Sequence, residues 1–216
     1  MKKVSWCLAV ITLVGLATLS TLGGVARSQG DQMAPPKAGP ESMALDKYFG
    51  KSVMWTGQVA AGVMGPGSMA TTSHGKAMCH KTLDGFWYTC EVEDMMGAGK
   101  DAVTWKGHMF VGYDLGTKAY KGVAVDNMGM LTMFDGTMSD NTFVLETPQE
   151  VMMMGQMMKD RMTWEMGAGG MMTFKDEHQM GGGDWMLAES GTMKPMATMK
   201  GKMAKGKGEA SEMSNK

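Results

Sequence analysis

The sequence predicts an all-β domain of about ten antiparallel strands, closed as an up-and-down barrel with one short N-terminal helix. Three observations predict it. Apolar and polar residues alternate along successive runs between Trp55 and Thr192, the period of a half-buried strand. Gly and Asp turn signals punctuate those runs at regular spacing. Only residues 41–49 (ESMALDKYF) read as helix, ended by Gly50. Hairpins in sequence must either stack as two sheets or close one sheet on itself. The lone helix at the start favours closure, with a sandwich as the alternative.

Residues 1–26 read as a signal peptide: Lys2 and Lys3, an apolar run from Trp6 to Leu22, then Gly23, Gly24 and Ala26. The chain is therefore expected to be exported to a periplasmic or extracellular space without a stable membrane anchor. Residues 27–40 (RSQGDQMAPPKAGP) form a Pro/Gly-rich linker. The barrel domain is assigned to 41–194, with strands at 55–62, 68–80, 86–94, 105–113, 119–126, 128–138, 142–147, 161–166, 171–179 and 184–191. Alternation is cleanest in Arg161–Met166, where Met162, Trp164 and Met166 share a face. Residues 195–216 are rich in Lys and Met and lack aromatics, Leu, Ile and Val, so they read as a disordered tail. Residues 31–192 carry 12 Lys and Arg against 20 Asp and Glu. An acidic body of this kind argues against nucleic acid as a partner.

Asp84-Gly85 suits a two-residue hairpin turn. If it forms one, paired positions sum to 169 and Cys79 faces Cys90. These are the two cysteines that follow the leader, and export favours a disulfide. In such a hairpin the pair falls at a hydrogen-bonded site, where the Cα atoms stand farther apart, and a change in turn length would change the register.

The helix ending at Gly50 is followed by Trp55-Thr56-Gly57, by Leu83-Asp84-Gly85-Phe86-Trp87, and by Lys106-Gly107-His108-Met109-Phe110-Val111-Gly112-Tyr113-Asp114. These runs resemble the bacterial family known as domain of unknown function 1579, a calycin-like, lipocalin-related barrel group. Trp105 stands where that family usually has Phe, and the Met-rich Val151–Met158 segment and the basic tail depart from its pattern. The resemblance implies a barrel and an exported bacterial setting, and no established activity. From the residues themselves, Asp114 is expected to accept backbone N–H bonds in a turn, and Tyr113 to close a barrel end.

Catalytic patterns are sparse, so no enzyme is expected. Cys79 and His80 are adjacent on a strand and point to opposite faces. The four His follow no metal-binding spacing, and Gly181-Gly182-Gly183 reads as a hairpin turn. The expected function is non-enzymatic binding of a small, apolar molecule in a barrel cavity lined by Trp55, Trp87, Trp105 and Trp164. Haem would need an inward His, His178 or His108, and is not expected. The chain holds 30 Met in 216 residues, which raises an alternative. Thioethers suit Cu(I), and Met152, Met153 and Met157 in one segment with Met193, Met196 and Met199 in another offer candidate ligands. Exposed Met can also buffer oxidants, and Met can simply replace other apolar residues in a core.

Overall fold

A computed structural model of the chain describes residues 35–153 and 155–196. The segment read as a signal peptide, most of the expected linker, Met199 and all but the first two residues of the expected tail lie outside the described residues. Two short helical turns, α1 (Pro40–Ala44) and α2 (Asp46–Phe49), precede eleven strands. These are β1 (Val53–Val59), β2 (Thr71–Thr82), β3 (Trp87–Met96), β4 (Val103–Asp114), β5 (Ala119–Asp126), β6 (Leu131–Ser139), β7 (Thr142–Glu146), β8 (Val151–Met153), β9 (Gln156–Met166), β10 (Met172–Met180) and β11 (Met186–Pro195). Successive strands pair antiparallel except at β7, which pairs with β9 instead of β8, and β11 returns to β1. Ten strands thus close the barrel, and β8 is a short hairpin arm on β9.

Several boundaries differ from those read in the sequence. Gly62, Gly65 and Gly67 take positive φ, which turns residues 60–70 into a loop, so β1 ends at Val59 and β2 starts at Thr71. The Met-rich run at 151–158 is a hairpin turning at Gly155, and β9 starts five residues before Arg161. β11 continues to Pro195, and the Met196 N–H bonds the Ser52 carbonyl at 2.8 Å. The first two residues of the assigned tail therefore belong to the barrel wall.

The Asp84-Gly85 turn is also wider than two residues. Thr82 pairs with Trp87 around a loop of Leu83–Phe86, in which Leu83, Asp84 and Gly85 all take positive φ. The pairing sum of 169 holds, and Cys79 and Cys90 are joined by a disulfide with Cα atoms 4.1 Å apart. That is the spacing of a narrow pair, not of the wide one that a two-residue turn implies.

The helical turns close one end of the barrel. Leu45, Tyr48 and Phe49 are almost fully buried there with Tyr88, Phe143 and Trp164. The Phe49 ring meets Phe143 and Trp164 edge-on at 5.7 and 5.5 Å, a favoured aromatic geometry. Asp46 fastens the turn to the wall by accepting bonds from the Tyr88 hydroxyl and the Lys81 ammonium, each at 2.7 Å. Farther along the interior lie Trp55, Met109, Phe134, Leu145 and Phe174. Among the described residues, no helix is long and apolar enough to cross a membrane.

Candidate functional site: an acidic barrel end

At the end opposite the helices the interior changes from aromatic to acidic. Asp94 on β3, Asp160 on β9 and Glu189 on β11 are buried, and Asp176 on β10 is half-buried. Each occupies the inward phase of its strand. Asp160 follows Met158 and precedes Met162 and Trp164 on one face, and Asp176 follows Phe174. On β11 the register shifts at this point: Asp176 pairs with Glu189 and Glu177 with Leu187, so Ala188 is an extra residue. Glu189 is inward by unbroken alternation with Gly191 and Met193, and the bulge lies just beyond it.

Two glycines let side chains cross a strand. Gly57 on β1 pairs with Ser73 on β2 and with Gly191 on β11. A Cβ on Gly57 would lie 2.5 Å from Ser73 Oγ and 2.8 Å from Glu189 Oε1. Its absence lets the Ser73 hydroxyl donate to the Glu189 carboxyl over the β1 backbone. Gly75, between Trp55 and Asp94 in the ladder, lies beneath the Trp55 indole, whose ring a Cβ there would meet. The ring thereby spans β2 toward Asp94. Trp105 pairs with Asp94 from the other side and donates its Nε1–H to Asp126 at 3.0 Å.

Three of these carboxyls have raised pKa values, with burial the leading cause in each. Burial pushes Asp160 well above the usual carboxylate range, and the Asp176 charge adds to the effect. Glu189 is pushed up to about 8, first by burial and then by the Asp94 charge. Asp94 is raised chiefly by burial. One oxygen each of Asp94, Asp160 and Asp176 is buried without a hydrogen-bond partner among the described residues. The neighbouring cations on β9 do not help. Lys159 pairs with Glu146, and Arg161 pairs with Glu177 and lies 4.0 Å from the Trp185 ring, on the outward phase. Desolvating an ionised carboxylate costs several kcal/mol unless it is compensated. Protonation or a bound cation would relieve that cost.

The candidate ligand residues are not brought to one place. Trp55 and Trp105 flank Asp94; Trp164 lies in the core against the helical turn; Trp87 is on the outward phase, over Gly112. His178 is on the inward phase of β10 near Asp176, whereas His108 is exposed. Met152 and Met157 face each other, exposed, across the β8–β9 hairpin next to Met153. Met193 is buried beside Trp55 and Met172, and Met196 ends the β11 wall.

The family model described as "Protein of unknown function (DUF1579)" matches residues 37–195. The chain belongs to the DUF1579 family. No curated protein matches it. In this DUF1579 barrel the Gly112-Tyr113-Asp114 run lies at the helical end. Asp114 accepts bonds from the Gly116 N–H at 2.9 Å and the Thr117 hydroxyl at 2.6 Å, and Tyr113 packs edge-on against Tyr120. That run is a barrel-end turn, and the acidic group lies at the opposite end. No motif or spacing in the sequence singles out Asp94, Asp160, Asp176 and Glu189 as a group. A signal for Asp160 was present in Met158-x-Asp160-x-Met162-x-Trp164, where a carboxylate occupies the apolar phase of a strand.

Proposed function

We propose that this DUF1579 chain is an exported, non-enzymatic binding protein whose ligand is a small cation, taken into the acidic end of the barrel. One observation carries the reading: four inward carboxyls share this end, three with an unpartnered buried oxygen, and Lys159 and Arg161, which flank Asp160 on β9, pair with other carboxylates. A bound cation would relieve both the mutual repulsion and the desolvation. The apolar half of the interior already holds Tyr48, Phe49 and Phe143, which argues against the apolar ligand read from the sequence. The Cys79–Cys90 bridge and the signal-like leader support export. A thermal-shift comparison tests the reading, using wild type and an Asp94→Asn/Asp160→Asn/Glu189→Gln variant. Small metal or ammonium cations should stabilise wild type only. Equal shifts in both proteins, or stabilisation only by uncharged apolar compounds, would refute it.

A second reading, methionine-based oxidant buffering, has its own support. Twelve of the nineteen large apolar side chains exposed among the described residues are Met, among them Met69, Met133 and Met152. Core filling does not account for side chains in solvent. Peptide mapping after mild peroxide treatment should find sulfoxide at these positions with the fold retained. Oxidation that unfolds the barrel would contradict a buffering role.

A further inference from the structure

We propose that Asp160, Asp176 and His178 form a binding site for one divalent transition-metal ion of borderline character, with zinc as its probe. The proposal rests on the reading of the acidic end as a cation site and names the cation. Antiparallel pairing assembles the three donors. His178 is the ladder partner of Asp160, and Asp176 precedes His178 by two residues on the same inward face. One donor atom from each residue lies within 4.8 Å of the others. His178 Nε2 and Asp176 Oδ1 are 3.7 Å apart. Two ligands about 2.1 Å from a tetrahedral ion would be separated by roughly 3.4 Å, so a small side-chain movement suffices.

Independent of the clustering, Asp160 is 5 % exposed, and its Oδ1 has no hydrogen-bond partner among the described residues. Its main chain is held in place. The Asp160 N–H donates to Thr147 Oγ1 at 3.0 Å, and the Asp160 carbonyl accepts from the Thr147 N–H at 2.9 Å. A fully buried threonine therefore fixes the deepest carboxylate while leaving an oxygen facing Asp176 unused. The side chains of Asp176 and His178 are 31 % and 17 % exposed, so the group opens to solvent on their side and an ion has a way in.

The donor set selects the ion class. Two carboxylates and an imidazole suit zinc or cobalt(II). Calcium prefers six to eight oxygens, and Cu(I) prefers thioethers. Three protein donors leave part of the coordination shell to water, so affinity should fall below that of a four-ligand structural zinc site. Asp94 and Glu189 lie beyond Asp176 and remain available to hold a proton when the ion is bound.

The test uses the full exported protein after chelator treatment. Zinc is titrated calorimetrically and cobalt(II) by its visible absorption, in wild type, His178→Ala and Asp160→Asn, with apo melting curves as a control for folding. One equivalent should bind wild type, and each variant should bind about tenfold more weakly or worse. Cobalt absorption of tetrahedral or five-coordinate type should appear in wild type and be lost with His178. Absence of saturable one-equivalent binding overturns the proposal, as does binding undiminished in both folded variants. If neither metal binds while wild type still takes up an organic ammonium ion, the metal site falls and the cation reading stands. If no cation of either kind binds, both fall.

Discussion

The Ser73 hydroxyl and the Glu189 carboxyl, 116 residues apart in sequence, are hydrogen-bonded inside the barrel across the backbone of a third strand. The strand between them, β1, carries Gly57 at the crossing point. Gly57→Ala would place a methyl group 2.5 Å from the hydroxyl and 2.8 Å from the carboxyl. The backbone there is extended, so the cost is steric, at about 1–3 kcal/mol. Urea unfolding should show that loss, with Ser73→Ala in the Gly57→Ala background costing less than it does alone. Wild-type stability in Gly57→Ala would show that the crossing is not tight.

Glu189 makes stability depend on pH in an unusual direction. Its pKa is raised from 4.5 to about 8, so the folded chain binds this proton more tightly than the unfolded one does. Its contribution is complete below about pH 4.5 and is lost as pH rises toward 8. The slope is at most about 1.4 kcal/mol per pH unit. In chelator, unfolding free energy should fall between pH 5 and pH 8, and Glu189→Gln should flatten that fall. An unchanged profile in the variant would remove Glu189 as its source.

Asp46 acts with the opposite sign. The Lys81 ammonium hydrogen-bonded to it holds its carboxyl below the usual range against the opposing effect of burial, and the Tyr88 hydroxyl adds to the lowering. Its contribution is present above the unfolded pKa and disappears as pH falls through the folded one. Since Asp46 and Lys81 are both about half exposed, Asp46→Asn should cost only about 1 kcal/mol. The loss should be accompanied by faster hydrogen exchange in α1 and α2. Exchange that quickens evenly over the whole barrel would contradict a local fastening role.

The Cys79–Cys90 bridge closes a loop of sequence separation 11, for which chain entropy suggests a stabilisation of about 3 kcal/mol. Denatured mature protein should titrate with no free thiol, and Cys79→Ala/Cys90→Ala should melt lower while keeping the barrel's circular dichroism. Free thiols at both Cys79 and Cys90 would show that the bridge does not form.

The barrel was legible because its strands alternate and its turns carry Gly and Asp; even the Cys79–Cys90 register followed from one turn. Alternation failed at Val151–Met158, where five Met in eight residues erase the difference between phases, and β8 with the start of β9 went unread. The acidic end was half legible. A carboxylate between Met158 and Met162 marks a buried acid, and Gly57 and Gly75 inside strands mark close approaches. That Asp94, Asp160, Asp176 and Glu189 converge depends on closure of β11 against both β1 and β10. Closure leaves no local pattern in the sequence.

The most direct test is native mass spectrometry of the protein purified from its native source without chelator, compared with its acid-denatured mass. A single small cationic species should accompany wild type and be absent from the Asp94→Asn/Asp160→Asn/Glu189→Gln variant. A bare polypeptide mass for wild type, or an uncharged apolar adduct retained equally by both proteins, would contradict a cation site at the acidic end of the barrel.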